Sequence, residues 1–446
     1  MKLIFDLPRL AQPVMVLLII LGLSSGAWGK VYLDIDAPAF QQLAIAVPDF
    51  QPAAGSSQAP GNWPAALSDD LANLLKMTGF FNVINKNAYL EDPKPLPGGG
   101  REMIHFADWL VIGTEYLLKG SFQLQGQDLI LNCRLYDVVK AEVLMDKKYT
   151  GKNADLRQLT RKCASDIVLT LTGEGGIFST RIAFVLKKGD KADLMSMNFD
   201  GTDLKKERES KSILMSPRWS PDGRHLSFTS FEEGNPDFYV KDMVTATTAR
   251  ISSFKGINLS GGWSPDSKKV LLTLSKDGNE EIYVMDFRNK LMQRLTTDFA
   301  IDVSPAWSPD GSRIAFVSNR GGSPQIYLMD ADGNNVKRLT FEGNYNTSPA
   351  WSPKGDRLVF ESLRAGKYQI VTIGADGNNA KQLTFDSGEC RSPSWSPEGR
   401  YISFSKHSGG RKKIHVMNAI GANIRVLFEG SGDAVLPAWS PRLKPD

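Results

Sequence analysis

The fold of this chain is decided by the stretch Trp307-Ser308-Pro309-Asp310-Gly311-Ser312-Arg313-Ile314-Ala315-Phe316-Val317. Its opening Trp-Ser-Pro recurs at intervals of 44 residues, without insertion or deletion. The six copies begin at Trp219, Trp263, Trp307, Trp351, Trp395 and Trp439. A fixed period of about 40–45 residues indicates repeated structural units that bury their apolar faces by packing on one another.

Each unit is predicted to hold four short strands. In the third copy they are expected at 304–308, 313–318, 325–330 and 336–340, where apolar residues alternate with polar ones. The residues Ser308-Pro309-Asp310-Gly311 are typical of a tight turn. Proline presets φ, the aspartate side chain bonds nearby backbone, and glycine adopts the left-handed conformation. The unit is therefore read as one antiparallel blade.

Six four-stranded units predict an all-β six-bladed β-propeller over residues 181–446. The second strand of each unit has the pattern seen at 313–318. Its first copy, at 181–186, has no Trp-Ser-Pro ahead of it, and Trp439 has no such strand after it. Pairing of 436–440 with 181–186 would close the ring and leave no long open edge. The repeated tryptophans are expected to pack between blades near the axis. A sugar-stacking platform is the alternative interpretation.

Residues 30–172 lack the repeat, and they are predicted to form a small N-terminal α/β domain joined to the propeller by a linker at 173–180. Glycines 173, 175 and 176 favour that boundary. The helices and strands are expected at 43–47 (strand), 64–77 (helix), 116–124 with 128–137 (hairpin) and 154–171 (helix).

The N-terminus has the pattern of a secretory signal. Lys2 and Arg9 precede an apolar run at 14–23, and Ala27-Trp28-Gly29 fits a small-x-small cleavage site. Residues 1–29 are therefore predicted to be removed, leaving an exported, soluble chain without a transmembrane segment. An uncleaved membrane anchor is the alternative.

An oxidising compartment permits disulfides. Cys133 and Cys163 either pair or remain as two buried thiols, and Cys390 is left over.

The composition and the histidine spacing argue against several classes of protein. The 446 residues are 41% hydrophobic and 23% charged, which is typical of a globular protein. A net charge of +4 offers no support for nucleic-acid binding. The four histidines, at 105, 225, 407 and 415, lack metal-ligand spacing, so no cofactor is expected.

An exported α/β domain followed by six 44-residue blades resembles the TolB family of the Tol–Pal system. The likeness includes Ile282-Tyr283-Val284-Met285-Asp286, the terminal Pro437-Ala438-Trp439-Ser440-Pro441, and Gly79-Phe80-Phe81 in the first domain. The resemblance implies a periplasmic, non-enzymatic, monomeric interaction hub that supports outer-membrane integrity and invagination during cell division. It implies binding of the peptidoglycan-associated lipoprotein Pal at one propeller mouth and of TolA through the mature N-terminus. Other outer-membrane proteins are possible partners.

The N-terminal segment that the resemblance assigns to TolA alternates apolar and polar residues, and it comprises Lys30, Val31, Tyr32, Leu33, Asp34, Ile35 and Asp36. Such a segment can add as a strand to a partner's sheet. A plain edge strand of its own domain is the alternative.

Binding residues at the propeller are expected on the loops that vary between copies, because variable loops on a rigid scaffold commonly carry function. These loops precede each tryptophan and lie at the mouth opposite the uniform Trp-Ser-Pro turns. The predicted residues are Ile257, Asn258, Asp302, Tyr345, Asn346, Glu389 and Asp433.

Two rival functions remain open from the sequence. A metal-dependent hydrolase or lyase would need clustered histidines and carboxylates on the inner strands, where serine, proline, alanine and tryptophan repeat. A weakly held metal ion in the central channel also stays possible. A glycan-binding propeller would need an exposed aromatic ladder.

Overall fold

The computed structural model describes residues 41–53, 55–57, 61–90 and 104–443. The predicted signal sequence (1–29) and the segment Lys30–Asp36 lie outside the described residues. Within them, a small α/β domain precedes a six-bladed β-propeller, so the predicted fold class is confirmed.

The N-terminal domain is one mixed sheet of order β3-β1-β4-β5-β6, with β2 also paired to β4. Parallel pairs join β1 to β3 and β4, and antiparallel pairs join β4 to β5 and β5 to β6. The strands are β1 Leu43–Ala46, β2 Gln51–Pro52, β3 Phe81–Val83, β4 Tyr116–Gln125, β5 Asp128–Asp137 and β6 Glu142–Lys152. The helices are α1 Trp63–Met77, α2 Phe106–Val111 and α3 Leu156–Thr172, with 3₁₀ turns at Lys86–Ala88 and Asn153–Asp155.

Helices α1 and α3 pack on this sheet through apolar stripes. The α1 stripe consists of Leu67, Leu71, Leu74 and Leu75, whose three- and four-residue spacing places them on one face. Helix α3 ends where Gly173 adopts a left-handed φ of 76°. The helices and hairpin predicted from the sequence are present to within one or two residues at each end, whereas β6 was missed.

The propeller consists of six four-stranded antiparallel sheets, whose first strands contact one another around the axis. Blade 1 contains β10 Leu214–Trp219, β11 His225–Ser230, β12 Asp237–Asp242 and β13 Thr248–Ser252. Blade 2 contains β14 Asn258–Trp263, β15 Lys269–Leu274, β16 Glu281–Asp286 and β17 Met292–Arg294. Blade 3 contains β18 Asp302–Trp307, β19 Arg313–Ser318, β20 Gln325–Asp330 and β21 Lys337–Arg338.

The second half of the ring repeats this order. Blade 4 contains β22 Asn346–Trp351, β23 Arg357–Arg364, β24 Lys367–Gly374 and β25 Lys381–Gln382. Blade 5 contains β26 Cys390–Trp395, β27 Tyr401–Ser408, β28 Arg411–Asn418 and β29 Arg425–Phe428. Blade 6 combines both ends of the repeat region in β30 Asp433–Trp439, β7 Arg181–Lys188, β8 Lys191–Asn198 and β9 Lys205–Ser210.

The repeated tryptophans join neighbouring blades. The indole N–H of Trp351 donates to the carbonyl of Ala306 at 3.2 Å, and that of Trp395 donates to the carbonyl of Ala350 at 3.2 Å. Five of the six rings are buried, and that of Trp307 is half-buried. These buried and half-buried rings therefore act in packing between blades.

The segment between the two domains is packed rather than free. Ile177 and Phe178 are buried in a core that continues from α1 into blades 5 and 6. The Tyr401 hydroxyl donates to the carbonyl of Thr78, and Arg400 pairs with Glu174 at 3.1 Å. Blade 5 therefore carries much of the contact with the N-terminal domain.

The three cysteines, Cys133, Cys163 and Cys390, are free and buried. In the part of the chain that the structure describes, none of the helices has the length and apolarity needed to cross a membrane.

Candidate partner-binding mouth of the propeller

Two sets of loops meet at one end of the ring, hereafter the mouth. One set leads from the last strand of a blade to the first strand of the next, and the other joins second strands to third strands. Hydrogen bonds hold them together: the backbone N–H of Ser275 donates to the carbonyl of Ile257, and that of His407 donates to the carbonyl of Glu389. The mouth is thus a stiff surface rather than a set of independent loops.

Asn258, one of the predicted binding residues, is buried and holds its own loop. Its amide N–H donates to the Phe254 carbonyl at 2.7 Å, and its side-chain oxygen accepts from the backbone N–H of Phe254 at 2.9 Å. Asn346 is buried in the equivalent place and donates to Glu342 and Gln325. Both side chains fix the loop path and present no surface to the outside.

Asp302 occupies the same column and is also buried. One carboxylate oxygen accepts from Arg320 at 2.7 Å, while the other has no hydrogen-bond partner among the described residues. Burial raises the pKa of Asp302 above its ordinary value. The sequence placed Asn258, Asp302 and Asn346 on loops, whereas each is the buried first residue of an inner strand, covered by the loop that precedes it. A role for them in binding stays a prediction.

The other predicted residues are accessible in part. Tyr345 is exposed and meets Tyr368 edge to face, with ring centroids 6.0 Å apart. Ile257, Glu389 and Asp433 are half-buried. Asp433 accepts a hydrogen bond from the backbone N–H of Lys412 at 2.9 Å. The role of these four residues in binding stays a prediction.

The mouth carries a set of exposed phenylalanines that the sequence reasoning missed. Together with Tyr345, they account for every exposed phenylalanine, tyrosine or tryptophan side chain among the described residues. We call this set the aromatic arc, and its members are Phe254, Phe299, Phe341 and Phe385, on the loops leading into blades 2 to 5. Phe341 is 73% exposed, Phe385 79%, and Phe299 is fully exposed.

Two of these rings each follow a buried threonine that positions them. The Thr340 hydroxyl donates to Gln325 at 2.7 Å and accepts from the backbone N–H of Ile326 at 2.9 Å. Thr384 makes the same bonds in the next blade. Because each threonine is anchored inward, the following phenylalanine is directed outward. The repeated Leu-Thr-Phe at 339–341 and 383–385 was the signal available in the sequence.

The opposite end of the ring is built from uniform turns. In blade 3 the Asp310 carboxylate accepts from the Ser308 hydroxyl and from the backbone N–H of Ser312. These bonds lower the pKa of Asp310 to about 2. The exposed apolar side chains at this end are aliphatic, for example Leu291 and Val244. The turns are accounted for by local hydrogen bonding.

Within the described residues, no group of three or more histidine, cysteine, aspartate or glutamate side chains could hold a metal ion. His415 is buried and stacked on Phe404 with ring centroids 5.7 Å apart, and burial lowers its pKa. It therefore acts as a packing residue in the column that tyrosine occupies in other blades.

The fold and mouth together define a six-bladed propeller protein with a small α/β domain docked against one side. Two family models match the chain: the TolB amino-terminal domain over residues 31–144 and the TolB beta propeller domain over residues 168–443. The chain belongs to the TolB family.

Curated relatives agree with this assignment. The Tol-Pal system protein TolB of Syntrophus aciditrophicus (strain SB) is 47% identical over 232 residues, which are 51% of each chain. That of Desulfosudis oleivorans is 37% identical over 229 residues, again 51% of each. The chain spans about half the length of these relatives. A crystal structure of TolB from Acinetobacter baumannii is similar over 90% of this chain and 97% of its own, with 31% identity and a TM-score of 0.78.

Proposed function

We propose that this chain is a periplasmic, non-enzymatic scaffold of the Tol–Pal system, exported by its signal sequence and working as a monomer. In this proposal the peptidoglycan-associated lipoprotein Pal binds at the mouth, and TolA binds the segment Lys30–Asp36. The two contacts connect the outer membrane to the inner one and support invagination during division. Family membership supports the general role, and the mouth supplies the support for the Pal contact.

The aromatic arc is the observation that carries the proposal. Four phenylalanine rings exposed to water at one end of the propeller are unfavourably hydrated in the free protein, and exposed apolar side chains concentrated on one face are typical of protein interfaces. Aromatic residues also supply much of the binding energy at such interfaces. The arc is stiffened by cations: Lys276 lies 5.6 Å from the ring centre of Phe254, and Arg338 lies 5.0 Å from that of Phe341. The rings are therefore held ready for a partner, which lowers the ordering cost of binding.

The experiment measures binding of the soluble domain of the lipoprotein by isothermal titration calorimetry. A Phe341→Ser/Phe385→Ser double variant is expected to lose about 2 kcal/mol or more of binding free energy, roughly thirtyfold in affinity. Both side chains are largely exposed, so the variant should unfold at the temperature of the wild type. Leu291→Ser, at a 70% exposed position on the opposite end, is the matched control.

Unchanged affinity in the double variant would exclude the arc from the interface. Failure of the wild-type chain to bind the lipoprotein would reject the proposed function itself.

The TolA contact is tested separately because the segment Lys30–Asp36 lies outside the described residues. Its removal is expected to weaken TolA binding and to leave lipoprotein binding intact, since a strand added by main-chain hydrogen bonds is lost with the segment. Equal affinity for both partners after removal would refute the N-terminal assignment.

A further inference from the structure

The mouth contains a charged pocket beside the aromatic arc, where blades 5, 6 and 1 meet. It is a cavity of about 200 Å³. Its charged or titratable lining side chains are Lys187, Glu389, Arg391, His407 and Lys412. Met215, Ser392, Ser405, Val435 and Leu436 complete the wall.

The pocket walls are fixed by close backbone approaches. A Cβ on Gly388 would lie 2.1 Å from the carbonyl oxygen of His407, and one on Gly432 would lie 2.1 Å from that of Lys187. Contacts under about 3 Å are sterically excluded, so only glycine fits at these two places. The loops into blades 5 and 6 are thereby held against the strands that carry the lysines and the histidine.

The charges in the pocket are unequally matched. Arg391 stacks over the Tyr368 ring at 3.7 Å and lies 3.8 Å from the Glu361 carboxylate, so its charge is shared with a group outside the lining. Lys187 and Lys412 form no ion pair with any described residue. The lining therefore carries three cations, Lys187, Arg391 and Lys412, against one carboxylate, Glu389.

We propose that this pocket receives a carboxylate side chain of the protein partner that docks on the mouth. The inference rests on the proposed function, because it assumes that the mouth is the docking surface. The incoming carboxylate would pair with Lys187 and Lys412, whose charges attract it, whereas the charge of Glu389 repels it. Asp433, whose carboxylate accepts from the backbone N–H of Lys412, lies beside the pocket and outside its lining. The aromatic arc supplies apolar area for binding, and the pocket orients the partner and selects one that carries an acidic side chain at this place.

The test uses the full mature chain and the soluble domain of the peptidoglycan-associated lipoprotein, titrated at low and high ionic strength. Lys187→Gln/Lys412→Gln is expected to weaken binding about tenfold at low salt and to flatten the dependence of affinity on salt. Lys354→Gln, an exposed lysine in a turn at the opposite end, removes one charge far from the pocket and should change neither quantity.

A second variant guards against loss of binding through misfolding. Glu389→Gln removes the repelling charge and is expected to tighten binding by about two- to fivefold, which a damaged fold could not do. Wild-type binding together with unchanged affinity and salt dependence in the lysine double variant would overturn this inference alone. Absence of binding by the wild type would overturn the proposed function and this inference with it. Weaker binding in Glu389→Gln would also overturn the inference, since it would place that carboxylate on the attractive side.

Discussion

Glu398→Gln is the perturbation whose effect follows most directly from the structure. Glu398 occupies the turn position that Asp310 holds in blade 3, and the charged groups acting on its carboxylate are Arg442 and Arg400. Both carboxylate oxygens are buried and have no hydrogen-bond partner among the described residues. The Asp310 carboxylate, in contrast, is exposed and accepts from serine.

The two arginines nearest to Glu398 are engaged elsewhere. Arg400 pairs with Glu174 at 3.1 Å and lies over the Phe80 ring at 4.2 Å. Arg442 donates to the carbonyl of Gly176 at 3.2 Å. These side chains bind the segment between the domains, so they offset the desolvation of Glu398 only in part. Burial accordingly raises the pKa of Glu398 to about 7.

The sign of the effect follows from proton linkage. The folded state holds this proton more tightly than the unfolded chain, where the pKa is near 4.5. Stability from this group is therefore fully present below about pH 4.5, and it declines as the pH rises towards 7. Each pKa unit corresponds to about 1.4 kcal/mol, so about 3 kcal/mol is lost by pH 8. Glutamine has no proton to lose and avoids that loss.

The assay is urea unfolding followed by tryptophan fluorescence at pH 5 and pH 8. Glu398→Gln is expected to match the wild type within about 1 kcal/mol at pH 5 and to exceed it by up to about 3 kcal/mol at pH 8. Asp310→Asn is the control, because hydrogen bonds lower the pKa of Asp310 to about 2 and it stays ionised over this range. A Glu398→Gln difference that is the same at both pH values would refute the reasoning.

Two further predictions concern buried groups. Lys241 and Glu207 form a buried ion pair of 2.7 Å between blades. Lys241→Met is expected to lower the free energy of unfolding in urea by about 3 kcal/mol, because it leaves the Glu207 carboxylate buried without its partner, and Lys241→Met/Glu207→Leu should recover most of that loss. Equal losses in the two variants would contradict this. Cys133 and Cys163 are free and fully buried, and burial raises the pKa of Cys163. A thiol reagent at neutral pH should therefore modify no cysteine in the native chain and all three after unfolding without reductant, whereas a single reactive thiol would indicate a disulfide.

The propeller could be predicted nearly strand by strand because its signals are local. In blade 3 the strands Arg313–Ser318 and Gln325–Asp330 match the expected bounds, while the outer strand shrinks to Lys337–Arg338. An edge strand has one neighbour only, so its length depends on packing that the alternation of residues does not encode. β6 was missed for a related reason: most of its residues are exposed or charged, and its pairing with β5 defines it.

The mouth shows the limit of reasoning from loop variability. Asn258 and Asn346 lie where the repeat varies, yet their side chains are buried and bond their own loops. Phe341 and Phe385 belong to the repeated Leu-Thr-Phe motif, and their side chains are exposed. The residues of a loop can vary between blades because they bond the loop internally or because they contact a partner. Variation alone therefore does not distinguish the two.

By itself, the sequence determined the number of blades and the closure of the ring. The 44-residue spacing gives the number of blades, and the turn residues fix the backbone within a few positions of themselves. The strand missing from the first copy of the repeat is supplied by the C-terminal strand β30, which pairs with β7. Only the tertiary structure decided which side chains face outward at the mouth, because that depends on loops crossing from one blade to the next. It also decided that Glu398 is buried, since the groups that cover it come from distant parts of the chain.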